Sequence, residues 1–154
     1  MWLWGDTDYL SYDFGGRVEE FVSFIYEKQF ADEAHKLASI ARDRVLQQRE
    51  RFRACRDVAL CLAGQGLLTS QWRMLHMGIA YGCAGDFRSA QTMLGRLSES
   101  TAEFDWQENL VQRAHYLAKL ICTPIEFRKY VEEAIFRTRS RLKLPDLDGL
   151  ALTD

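Results

Sequence analysis

Cys55, Cys61, Cys83 and Cys122 are the side chains best suited to covalent or metal chemistry, but their spacings of 6, 22 and 39 contain no close-set ligand pair. They sit in apolar, helical-looking stretches and read as reduced core residues, the habit of free cysteine; no disulfide is expected. His35, His76 and His115 lie about 40 residues apart and form neither a His-Glu-x-x-His motif nor any paired-ligand pattern. A His76–Cys83 dyad has only its seven-residue spacing in its favour, and Gly82 and the turn at Gly85 spoil the shared face. Gly64-Gln65-Gly66 lacks the remaining residues of a dinucleotide or phosphate loop, so it reads as a helix stop. The expectation is a chain that is not an enzyme and needs no cofactor or metal.

The arginines are more informative. Arg42, Arg49 and Arg56 recur every seven residues, with Arg44 and Arg51 on the other side of an apolar seam and Arg53 close by. One reading is a solvated helix face, with Asp43, Glu50 and Asp57 as local partners. The other is an edge that meets an acidic partner, because the guanidinium fork pairs well with carboxylates. A phosphate ligand or RNA is a third reading, weakened by the lack of an aromatic stacking motif.

Composition also weighs against nucleic acid. Twenty Lys and Arg against 22 Asp and Glu give a net charge of −2, which argues against sequence-independent nucleic-acid binding. At 154 residues and 47% hydrophobic content, the chain is expected to be one domain with its own core. The opening Met1-Trp2-Leu3-Trp4-Gly5-Asp6 has no basic n-region or apolar h-region, and no stretch approaches the ~18 apolar residues of a membrane span. These features predict a cytoplasmic protein without a membrane partner.

The elements that must position these residues are helices. Only Pro124 and Pro145 occur, glycines punctuate the chain, and apolar residues recur at helical spacing with no sustained alternation. The fold class expected is all-α, with six or seven helices stacked as antiparallel hairpins. A first helix is expected from about Arg17 to Lys28, burying Val18, Phe21, Val22, Phe24 and Ile25. Next, Ala34, Ala38, Ala41, Val45, Gln48, Phe52, Cys55, Ala59 and Leu62 follow in steps of four and three, a packing seam. One helix over 31–63 would be about 50 Å long, unusual in a small domain, so the segment reads either as a continuous rod or as two helices with the break at Gln47 to Arg51. Further on, Thr69 or Ser70 caps a helix through Trp72 and Tyr81, and a turn at Ala84-Gly85-Asp86 precedes a helix from Phe87 to about Leu97. Trp106, Leu110, Ala114, Leu117 and Leu120 form one stripe. Pro124 opens the last helix, which buries Phe127, Tyr130, Val131, Ala134 and Ile135.

Within 74–97, Met77-Gly78, Tyr81, Gly85-Asp86-Phe87, Ala90, Leu94 and Leu97 make the one specific motif. It resembles a tetratricopeptide repeat, whose first helix carries a Leu-Gly pair with Tyr three residues on and whose second carries a small Ala followed by large apolar residues. A degenerate echo spans 21–41, where Ile25, Phe30, Ala34, Ala38 and Ala41 hold corresponding spacings but Lys28 replaces the turn glycine. Ala34 and Ala90 are 56 apart, not a multiple of 34, so the resemblance covers about 50 residues. The resemblance implies a short array of helical hairpins with a concave wall.

The ends differ from this middle. Trp2, Trp4, Tyr9, Tyr12 and Phe14, interleaved with Asp6, Asp8 and Asp13, read as a strap over 1–16 whose aromatics plug the helical stack or dock on a partner or a second copy of the chain. After Pro145, residues 145–154 read as a loosely held tail. The function expected is a noncatalytic protein-binding module, an adaptor or secretion-type chaperone that presents a helical groove to an export substrate or complex subunit. The alternative is an immunity protein that blocks a bacterial toxin. The candidate partner-binding residues are Arg42, Arg49, Arg53, Arg56, Tyr81, His115, Trp2 and Trp4.

Overall fold

The computed structural model describes residues 4, 23, 25–64 and 70–144. Among them are six helices and no strand: α1 (Glu27–Arg51), α2 (Cys55–Ala63), α3 (Gln71–Cys83), α4 (Phe87–Ser98), α5 (Asp105–Leu120) and α6 (Pro124–Arg141). The protein is all-α. It divides into two compact units, Phe14–Arg53 on one hand and Met1–Asp13 with Ala54–Asp154 on the other.

In the first unit, α1 runs 25 residues, about 38 Å, without one buried residue. Its start is held from inside: the Gln29 side chain accepts from the backbone N–H of Ile25 at 3.0 Å and donates to the Ser23 carbonyl at 3.1 Å. The helix expected from Arg17 to Lys28 is therefore corrected, since Ser23, Ile25 and Tyr26 are not helical and α1 begins at Glu27. Residues 17–22 and 24 lie outside the described residues. At the far end, Arg49 and Arg51 complement the negative pole of the helix.

The break after α1 falls at Phe52 to Ala54, not at Gln47 to Arg51. Gln, Arg and Glu are good helix formers, so a polar run does not stop a helix by polarity alone. What starts the next helix is Asp57, whose carboxylate accepts from the Ala54 backbone N–H at 3.0 Å. Gln107 repeats the device at the start of α5, accepting from the backbone N–H groups of Glu103 and Phe104.

The second unit is built around α3, which packs against α2, α4, α5 and α6. Ser70 caps it by accepting from the Arg73 N–H, and Asp86 caps α4 by accepting from the Ser89 N–H. Gly85 makes the intervening turn at φ +79°, a left-handed conformation that side chains resist. Gly78 faces α4 so closely that a Cβ there would lie 2.6 Å from Leu94 Cγ. Gly82 seats α6 likewise: a Cβ would lie 2.5 Å from the Phe127 ring and 2.8 Å from Ile121. The core is completed by Leu62, Leu75, Ile79, Ala90, Leu97, Leu117 and Val131, all buried. Of the expected stripes, Leu110, Ala114 and Leu117 are buried but Trp106 is exposed, and Thr138 is buried in α6 where Ile135 is only half-buried.

Candidate functional site

At 100° per residue, Phe30, Ala34, Leu37, Ala38, Ala41, Val45, Gln48 and Phe52 fall within a stripe about 100° wide along α1 and its end. Arg42 and Arg49 border that stripe on one side and Arg44 and Arg51 on the other, while Asp32, Asp43 and Glu50 lie on the opposite face. Except for the half-buried Phe52, the apolar members are open to solvent, with Phe30 at 70% exposure and Val45 at 52%. Arg42 leans back to Asp43 at 3.4 Å, and Arg51 lies over the Phe52 ring at 5.2 Å. The acids behind and the arginines beside the stripe give its C-terminal half a positive rim. Such a surface suits an amphipathic helix whose own flanks are acidic.

The seven-residue arginine series does not extend beyond α1. Arg53 lies in the break, and Arg56 belongs to α2 in the other unit, so only Arg42 and Arg49 share one edge. Arg56 instead acts on Asp86, whose carboxyl is held below the usual range first by hydrogen bonding to Ser89 and then by the Arg56 and Arg88 charges. Tyr81 is half-buried on α3 and His115 is exposed on α5. Trp2 lies outside the described residues.

Trp4 is buried in the second unit. Its indole N–H donates to His76 Nδ1 at 3.1 Å, and its carbonyl accepts from the Arg113 guanidinium. Trp72, one turn before His76, stacks on the imidazole with ring centroids 5.9 Å apart. Burial first, and then the Arg113 charge, push the His76 pKa down to about 3, so the imidazole is neutral and can accept the indole proton. Arg113 also lies over the Tyr130 ring, which meets Tyr116 at 5.4 Å. This group of aromatics ties residue 4 to α3, α5 and α6. Its sequence trace was the four-residue Trp72–His76 spacing, which puts the two rings on one helix face.

A shallow hollow of about 440 Å³ on α6 is lined by Glu132, Glu133, Phe136 and Arg137, and its guanidinium and the Glu133 carboxylate are 3.9 Å apart. No group of three metal-ligating side chains occurs among the described residues. All four cysteines are free thiols; Cys83 is buried, but Cys122 is exposed, which corrects its reading as a core residue. Cys122 follows the end of α5, where the chain turns outward toward Pro124. No helix among the described residues is long and apolar enough to cross a membrane. A scan of protein-family models and searches of curated proteins and of solved structures found no match to the chain.

Proposed function

We propose that this protein is a noncatalytic binding module, an adaptor or secretion-type chaperone, that receives an acidic amphipathic segment of a dedicated protein partner along α1. The observation that carries this reading is a 25-residue helix with no buried residue, an apolar stripe and arginines on both borders. In proteins most helical stability comes from packing of an amphipathic face, and that apolar face is ordinarily covered, so a binding partner gives the stripe a use. The α3–α4 hairpin, with Gly78 against Leu94 and its tetratricopeptide-like pattern, supplies the rigid body of the module in this reading.

The immunity-protein reading is less well supported. An inhibitor of a nucleic-acid-directed toxin needs an acidic face to imitate phosphates, whereas the α1 stripe is bordered by arginine. The test is affinity capture from the native host with the wild type and with the Arg42→Glu/Arg49→Glu variant, at matched helicity by circular dichroism. The account expects a partner held by the wild type and lost or slowed in association by the variant, more so at low salt. Equal capture by both proteins would refute it.

A further inference from the structure

The two polar contacts at residue 4 read a tryptophan and nothing about its place in the chain. Its indole N–H, a donor only, reaches His76 Nδ1 at 3.1 Å, and its main-chain carbonyl accepts from the Arg113 guanidinium. Because Nδ1 accepts, the neutral imidazole carries its proton on Nε2. Both recognising groups are set in place by other rings. Trp72 stacks on the imidazole with centroids 5.9 Å apart, and the Arg113 guanidinium lies over the Tyr130 ring, also at 5.9 Å. The two groups belong to different helices, α3 and α5, and stand 72 and 109 positions from the residue they hold.

Two features separate this seat from ordinary core. The helical framework closes without residue 4, because α3 packs directly against α2, α4, α5 and α6 and buries Leu75 and Ile79 completely. In addition, a side-chain N–H and one peptide carbonyl satisfy both polar groups, and any tryptophan in any segment carries both. Such contacts cannot tell this chain's own residue from another's. What the covalent link adds is effective concentration, which keeps the seat filled until a rival is abundant or is held elsewhere as well.

We propose that Trp72, His76 and Arg113 form a tryptophan-binding socket, that Trp4 fills it as a tethered ligand, and that a tryptophan-bearing segment of a protein partner binds by taking its place. The selectivity follows from the chemistry. An indole N–H satisfies a buried acceptor that a phenylalanine ring leaves unpaired, which weakens binding about tenfold or more. The Arg113 contact reads a peptide carbonyl, so the ligand is a residue within a chain and not free indole. The socket lies in the second unit and stands independently of the stripe on α1.

The test follows thermal melting of the full chain carrying Trp4→Ala, with N-acetyl-tryptophanamide as the probe. The proposal expects saturable stabilisation of the variant, and no stabilisation of the wild type at a probe concentration that saturates the variant. The benzothienyl analogue keeps the ring shape but lacks the N–H, and should bind about tenfold or more weakly. Adding His76→Phe should abolish the preference for the indole over this analogue, an effect that a merely structural His76 would not have. In the wild type, the Trp4 indole proton should exchange with deuterium by release of residue 4 alone, with a lower protection factor than the amides of Leu75 and Ile79. Equal stabilisation of variant and wild type, equal binding of both probes, a folded Trp4→Ala chain that takes up neither, or exchange of the indole proton only with the core would each overturn the proposal. The wild-type exchange decides the matter even where the variant fails to fold.

Discussion

Helices α1 and α3 differ in what covers them: α1 carries one apolar stripe, whereas six consecutive residues of α3, 75–80, are all buried. In α3 eight of 13 residues are buried, whereas in α1 none of 25 is. Both carry small residues, but Gly78 and Gly82 of α3 meet Leu94 and Phe127 at distances that leave no room for a methyl group. Ala34, Ala38 and Ala41 of α1 are exposed. Small side chains permit close approach, and only a neighbour turns that permission into stability. The comparison teaches that a helical period shows where an apolar face points, while burial shows whether the chain itself covers it.

The comparison breaks first, if it breaks, at Phe127. This ring is fully buried in the seat that Gly82 leaves on α3, and Phe127→Ala should cost about 3–5 kcal/mol, measured by urea unfolding. A loss under about 1 kcal/mol would mean α6 is not a structural neighbour of α3. Next in size is Ala90→Leu. Ala90 is fully buried on α4, and the added branches should overpack the hairpin by about 1–3 kcal/mol. A neutral result would remove the close packing of this hairpin from the account.

His76 sharpens the contrast through pH. Its folded pKa is lowered from 6.5 to about 3, so below pH 6.5 the unfolded chain binds a proton that the folded chain refuses. The stability this residue contributes is complete above pH 6.5 and falls as pH drops toward 3, with a limiting slope of about 1.4 kcal/mol per pH unit. Thermal melts of the wild type and of His76→Gln between pH 7 and 4 should converge as pH falls. Parallel curves would show that Trp4 and Trp72 do not hold a neutral imidazole.

Much of α3 and α4 was legible in the chain. Ser70, Asp86 and Pro124 act at helix starts through local chemistry, and the turn at Gly85 needs a residue tolerant of positive φ. The helix start at Ala54 was harder, because its cap is supplied from inside the helix by Asp57 and the preceding polar run favours helix. Gly82 was noted only as an imperfection, since its use depends on Phe127, 45 residues later. The arginine border was legible on α1 alone, where one helix carries the spacing, and illegible at Arg56, beyond a break.

The smallest effect on stability belongs to α1, where Leu37→Ser with Val45→Ser should change unfolding of the second unit by no more than about 0.5 kcal/mol, since neither side chain is buried. The most direct test of the account compares the two helices by amide hydrogen exchange in the full chain, resolved by residue. The amides of α3 should exchange only through opening of the core, and those of α1 by local opening, orders of magnitude faster. Protection of α1 equal to that of α3 in the isolated protein would contradict the claim that its apolar stripe is left for a partner.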